Sequence, residues 1–224
     1  MSQLDSELLR KPLKVACIQI ASGTDKNAST LHIPPRSFAN MPSHYRGELL
    51  AFHRKMHLFD IDVPGGMSFH ESGILSAGNK TTIVDLEEYG KIGPGVCFGM
   101  RFAELSTIAA RQGAFALVYP SAFSTTTGPL HGELLGRARA VDNQVYTMLC
   151  SQSRDPNSSY PAWGYSMVTD PIGQVVAGTD QSEDIVYALL DPKTIKRSRI
   201  AIPITYQRRH DVYPDNGKLV QLDK

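Results

Sequence analysis

Hydrophobic positions fall into short, dense runs divided by turn residues, and the spacing of those runs changes along the chain. Leu13 to Ile20 (LKVACIQI) reads as a buried first strand, because a short apolar run between polar flanks suits a strand covered by other elements. From Asp25 to Ser43, Ser, Pro, Asn and Thr dominate with no clean period, which predicts loop. Apolar positions resume over Gly47 to Phe52, ahead of HRKMHLFDIDVPGG, whose Pro-Gly-Gly end predicts a turn. Lys80 to Leu86 (KTTIVDL) is β-branched and predicts a strand, with YGKIGPGVC as its hairpin-like partner. An amphipathic helix is then expected over about 101 to 112, followed by the strand FALVYP and a Gly-Pro loop. A second helix runs from about Leu130 to Asn143. Four short strand candidates follow in QVYTMLCSQS, YSMVTDP, GQVVAGTD and DIVYALLD. A late helix opens at LDPKTIKRSRI, with Asp191 as its cap and Pro192 at the first helical position. Mixed strands and helices with buried strand runs predict an α/β layered sandwich.

The chain has 224 residues, 42% hydrophobic and 20% charged, enough for one substantial core in a single domain covering 1–224. Within it we expect a first strand over 13–20, an irregular segment over 21–46 and a main body over 47–210. A formal charge of +1 gives no global basic field for nucleic acid or an anionic membrane. Cys17, Cys97 and Cys150 lie far apart with no CxxC spacing, which argues against a disulfide framework and a zinc ribbon and for a reducing compartment. MSQLDSELLRKPLK carries no secretory h-region, and no apolar stretch approaches the ~20 residues of a membrane span. A cytoplasmic protein is expected, with a mitochondrial pool left open.

Cys97 carries the most chemistry. It ends the run YGKIGPGVC and is followed almost at once by the helix MRFAELSTIAARQG, so the thiol sits at a strand-to-helix junction. Unpaired N–H groups and the positive end of the helix dipole at such a junction favour a thiolate and can hold an oxyanion. The alternative is a small buried hydrophobe at a strand end.

Several ordered blocks resemble one family: FHRKMHLFDIDVPGG, FHES, GKIGPGVCFGMRFAEL, VYPSAFSTTTGPLHGELLGRARAVDNQVY and AWGYSMVTDPIGQVVA are similar to the carbon-nitrogen hydrolase (nitrilase) superfamily. HLFDIDVPG and TTGPLH are similar to its omega-amidases, which hydrolyse the terminal amide of 2-oxoglutaramate and 2-oxosuccinamate. The resemblance implies a nitrilase-like α-β-β-α sandwich and acyl transfer through a cysteine thioester, with no metal and no organic cofactor. It also implies a small-molecule amide substrate and a homodimer formed beside the nucleophile helix. In the family's Glu-Lys-Cys triad, the nucleophile falls on Cys97 and the lysine on Lys55; the assisting second glutamate falls on Glu71 in FHES. Phe98, Phe123 and Thr127 are carried over as the residues lining the substrate.

The family's general base, a glutamate in a PEC-type segment upstream of the lysine, has no counterpart. Asp5, Glu7, Asp25 and Glu48 are the carboxylates before Lys55, and none has that context. About 35 residues separate Gln19 from Lys55, too few for the helices and strands the family places there, so the N-terminal part of the sandwich is expected to be incomplete. Other departures are Phe98 and Gly99 where the family often has Tyr-Asp, Ser121 for glycine, Gly132 for tryptophan and Tyr165 for histidine. A competing reading follows: a catalytically inactive homologue acting as a binding or regulatory subunit. Three other chemistries have weaker motifs. His53, His57, Asp60, Asp62, His70 and Glu71 are dense potential metal ligands without HExxH or facial-triad spacing. Cys97 and His131 have the order of a papain-like dyad without its context, and His131 also reads as a helix-start packing residue. GPGVCFG lacks both the Walker lysine and the dinucleotide fingerprint.

Overall fold

The structure is a computed structural model describing residues 8–21, 40–45, 48–62, 64–65 and 68–213. In chain order the strands are β1 (Leu13–Gln19), β2 (Asn40–Tyr45), β3 (Glu48–Arg54), β4 (Asp60–Asp62), β5 (Ser68–His70), β6 (Val84–Asp85), β7 (Lys91–Pro94), β8 (Ala114–Pro120), β9 (Tyr146–Cys150), β10 (Met167–Thr169), β11 (Val175–Gly178) and β12 (Asp184–Leu190). The helices are α1 (Ala103–Arg111), α2 (Gly128–Asn143), α3 (Pro192–Ala201) and α4 (Ile204–Gln207).

Strand β8 organises the core because its run AFALVYP is apolar on both faces, as a central strand between two layers must be. Phe115 joins Cys17, Tyr146, Met148, Val168, Ala188 and Leu190 in one buried cluster, whereas Leu117 and Tyr119 join Met100, Ala109, Val145, Leu149 and Met167 in another. The first cluster lies between a six-stranded sheet, ordered β11-β10-β9-β8-β7-β6, and the antiparallel pair β1-β12. The second lies between the larger sheet and helices α1 and α2. Strands β7, β8 and β9 run parallel, with α1 and α2 as their crossovers, while β6, β10 and β11 add antiparallel edges. This is the expected α/β sandwich. Its N-terminal side is open among the described residues: Ile18, Ile185, Tyr187 and Leu189 on the outer face of β1-β12 are exposed.

Helix α2 seats closely on the sheet because Gly128, Gly132 and Gly136 recur every fourth residue on its buried face. A Cβ at Gly136 would lie 2.4 Å from Met167 Cε, and one at Gly128 2.2 Å from the Trp163 ring. Gln19, fully buried on β1, ties that strand to the far end of the chain: its Nε2 donates to the Asp180 and Ser182 carbonyls at 2.7 and 2.6 Å. Its Oε1 accepts from the Ser166 N–H at 3.0 Å. Asp191 caps α3 as expected, its carboxylate accepting from the Lys193 N–H at 2.8 Å.

Three sequence expectations change. Residues 40–43, expected as loop, belong to β2, which pairs antiparallel with β3; a ribbon partner is held by backbone ladder bonds and needs no apolar alternation of its own. The remainder of that segment, 22–39, and residues 46 and 47 lie outside the described residues. Of Lys80–Leu86 only Val84 and Asp85 form a strand, because β7 offers partners to those two alone, at Ile92 and Lys91. Around Pro64 and Gly65 the chain doubles back as the hairpin β4-β5, registered Asp60↔His70, which the short polar strands did not announce. Among the described residues no helix is long and apolar enough to cross a membrane.

Candidate active site

Lys55 is the first residue after β3, with its carbonyl accepting from the Gly78 N–H at 2.8 Å. Its side chain is buried, 5% exposed, a position an ammonium holds only with a charged partner. That partner is Glu71, delivered by hairpin β4-β5 onto a 3-10 turn over Glu71–Gly73. Lys55 Nζ reaches both carboxylate oxygens, Oε1 at 2.6 Å. Glu71 Oε2 also accepts from the Phe59 N–H at 2.7 Å, so the carboxylate is fixed from two sides.

Cys97 starts the 3-10 turn Cys97–Arg101, separated from the end of β7 by Gly95 and Val96, the latter extended with a φ of −125°. Its own φ of 43° lies in the left-handed region that side-chain-bearing residues seldom enter, so the chain reverses sharply at the thiol. The residue is half-buried. Burial pushes the Cys97 thiol up, the Ala122 N–H and then the Lys55 ammonium pull it down, Glu71 pushes it up, and its neighbour's N–H, Phe98, pulls it down. The charges of Lys55 and Glu71, far away in sequence, thus both reach the Cys97 thiol.

The nucleophile turn is held from below. Arg139 of α2, 7% exposed, donates from Nε to the Met100 carbonyl at 2.9 Å and from Nη2 to the Arg101 carbonyl at 3.1 Å. Above it lies an aromatic wall: Phe98 meets Phe59 edge-on at 5.1 Å and Phe102 at 5.5 Å, and His57 stacks on Phe102 at 3.7 Å. The Arg101 guanidinium lies 5.8 Å from the Phe98 ring and 5.6 Å from Phe123, bringing two of the three expected lining residues around one cation. Thr127 is engaged elsewhere, its Oγ1 3.1 Å from Ser124 Oγ.

The histidines of the competing readings have partners of their own. His131, in the first turns of α2, directs Nδ1 to Arg101 at 3.1 Å, so the ring nitrogen a dyad would turn to Cys97 is committed to a guanidinium. His53 is buried with Nδ1 3.0 Å from Thr82 Oγ1, whereas His70 and Asp62 meet on the exposed face of β4-β5. Among the described residues no group of three or more His, Cys, Asp or Glu could hold a metal ion. Of the upstream carboxylates, Asp5, Glu7 and Asp25 lie outside the described residues, as does the side chain of Glu48.

Sequence reasoning missed three participants. Ala122 contributes only backbone, Arg139 works through two carbonyls, and Tyr160 comes from a loop with no periodic signal, its hydroxyl donating to the Ala122 carbonyl at 3.0 Å. The buried stripe of α2 does flag Arg139, one residue before Ala140 and four before Asn143, both buried. Ser121, Gly132 and Tyr165 line a single cleft of about 210 Å³ together with Phe123 and Trp163. Trp163 and Tyr165 stack there at 4.4 Å.

Omega-amidase NIT3 of Saccharomyces cerevisiae is 58% identical over 169 residues, covering 75% of this chain and 58% of that protein. Omega-amidase NIT2 of Mus musculus is 52% identical over 172 residues, 77% of this chain and 62% of that protein. The chain thus spans little more than half the length of these relatives. The crystal structure of Saccharomyces cerevisiae Nit3, described as a member of branch 10 of the nitrilase superfamily, superposes with a TM-score of 0.77 at 36% identity, covering 91% of this chain and 99% of that one. With residues 44–200, the segment that carries Lys55, Glu71 and Cys97, matching the carbon-nitrogen hydrolase family, the chain belongs to that family.

Proposed function

We propose that this chain is an amidohydrolase of the omega-amidase type, hydrolysing the terminal amide of dicarboxylate monoamides such as 2-oxoglutaramate and 2-oxosuccinamate. The observation that carries the reading is the convergence of Cys97, on its reversed turn, with the buried Lys55–Glu71 pair. The Cys97 sulfur attacks the amide carbonyl carbon and its proton passes to the amide nitrogen, so the C–N bond breaks, ammonia leaves and the acyl group remains on sulfur as a thioester. Lys55 and the Phe98 N–H stabilise the oxyanion, and Glu71 holds Lys55 in place. Water then attacks the thioester, its proton returns to sulfur and the acid departs. Phe98 and Phe123 line the substrate, beside Arg101, whose cation suits a carboxylate. Homology to omega-amidases at 58% and 52% identity supports this substrate class. Acid-quenched mass spectrometry after mixing with 2-oxoglutaramate tests it: the acyl group is expected on the Cys97 peptide, and its absence at every time point counts against the mechanism.

One observation favours the inactive homologue as a second reading. Burial holds the Cys97 thiol up, and the ammonium that would lower it is already matched by Glu71. In that case the chain binds without turnover. A homodimer also belongs to this proposal. Ile108 of α1 and Leu130 and Leu134 of α2 are apolar and exposed beside the nucleophile turn, and light scattering on the purified chain reads the mass directly.

A further inference from the structure

The segment Ser121–Phe123 follows β8, whose parallel neighbour β7 leads into Cys97, with the Gly95 N–H donating to the Val118 carbonyl at 2.9 Å, and its backbone is held at three points. The Ser121 N–H donates to the Cys150 carbonyl at 2.8 Å, and the Phe123 carbonyl accepts from the Trp163 N–H at 2.7 Å. Both are backbone bonds that no side-chain change removes. Between them, the Ala122 carbonyl is held by a side chain, the Tyr160 hydroxyl at 3.0 Å. We propose that Tyr160 is a positioning residue of the site: its phenol grips the Ala122 carbonyl and so fixes the backbone that meets the Cys97 sulfur.

Three observations make this more than a packing contact. The loop bearing Tyr160 is anchored independently, since Arg154 donates from Nε to the Ala162 carbonyl at 3.3 Å and from Nη2 to the Trp163 carbonyl at 2.9 Å. Its guanidinium also lies over the Trp163 ring at 4.6 Å. Tyr160 therefore reaches the site from a fixed base. Desolvation, with Cys97 and Glu71 next, pushes the Tyr160 phenol up to about 12, which favours its neutral, hydrogen-bond-donating form. Finally, the Ala122 N–H is the largest of the groups that favour the Cys97 thiolate, ahead of the Lys55 charge. The Tyr160 hydroxyl thus holds the carbonyl of the residue whose N–H favours the thiolate. The role as positioning residue for catalysis rests on the proposed amidohydrolase function; the effect on the thiol does not.

The test is the pH profile of Cys97 alkylation by iodoacetamide, followed by mass spectrometry of the Cys97 peptide so that Cys17 and Cys150 do not enter. In Tyr160→Phe the half-buried ring keeps its packing and loses the grip, and the alkylation midpoint is expected to rise by about half a pH unit or more. Tyr146→Phe is the structural control, because Tyr146 donates from its hydroxyl to the Asp191 carbonyl at 3.1 Å and accepts from the Asp191 N–H at 2.9 Å, in the opposite core cluster. It is expected to lower thermal stability and leave the midpoint unmoved. Tyr160→Gln, which retains a donor, should fall between wild type and Tyr160→Phe. An unmoved midpoint in folded Tyr160→Phe, or an equal rise in Tyr146→Phe, overturns the proposal. The profile needs no turnover, so a shifted midpoint in a chain that releases no ammonia upholds the positioning role while removing the proposed activity.

Discussion

Replacing Glu71 by glutamine separates the two effects that the Lys55–Glu71 pair has on this site. Glu71 accepts Lys55 Nζ on both oxygens and the Phe59 N–H on Oε2, and Lys55 is 5% exposed, so the charge left behind is a buried one. Taking away one partner of such a pair costs about 3 to 5 kcal/mol, because the remaining ammonium stays buried without its counter-charge. A domain of this kind has roughly 5 to 15 kcal/mol to lose, so the variant is expected to fold with a clearly lowered urea midpoint. The thiol moves in the direction opposite to what a damaged site suggests. Glu71 pushes the Cys97 thiol up and Lys55 pulls it down, so Glu71→Gln leaves the lysine acting alone and lowers the thiol pKa. Lys55→Met does the reverse. Iodoacetamide alkylation of the Cys97 peptide at neutral pH is therefore expected to be several-fold faster in Glu71→Gln and slower in Lys55→Met, while ammonia release falls in both. Alkylation of folded Glu71→Gln at or below the wild-type rate would refute the assignment of Glu71 as a charge that restrains the thiol.

Two further perturbations follow from packing and burial. Gly132→Ala places its Cβ 3.9 Å from Trp163 Cδ1, an ordinary contact, and should stabilise helix α2 by roughly 0.5 to 1 kcal/mol through a stiffer unfolded chain. Gly128→Ala, four residues away, would press within 2.2 Å of an indole already stacked on Tyr165, costing about 1 to 3 kcal/mol; thermal melts of the pair should move in opposite directions. Tyr119 is buried and its phenol is pushed up to about 12 by desolvation, with its hydroxyl 2.7 Å from Ser106 Oγ. A raised folded-state pKa stabilises below the unfolded value near 10 and is lost as pH climbs toward about 12, so stability should fall by about 2 to 3 kcal/mol across that window and less in Tyr119→Phe.

The second half of the chain was readable because its signals are local. Asp191 followed by Pro192 marks a helix start wherever it occurs, and β8 is apolar enough to require cover on both faces. Pairings across long separations left no such trace. The partner of β1 is β12, more than a hundred residues away, and the choice rests on Cys17, Ala188 and Leu190 sharing one cluster rather than on a pattern in either strand. Hairpin β4-β5 was hidden for a different reason: its side chains are largely exposed and polar, so it carries no apolar alternation, yet it delivers Glu71. At the site, family resemblance singled out Lys55, Glu71 and Cys97, since a buried lysine looks like any surface lysine in a sequence. Tyr160 and Ala122 escaped because one acts through a hydroxyl from an irregular loop and the other through its backbone, and neither residue type announces that use.

The proposed function requires that Cys97 turn over an amide. The most direct measurement is ammonia released from 2-oxoglutaramate by the purified chain, counted against the molar amount of protein, with Cys97→Ala alongside. Ammonia well beyond one equivalent per chain is expected, with none above background in Cys97→Ala. Folded wild-type protein that releases no ammonia, or a Cys97→Ala variant that releases as much, would contradict it.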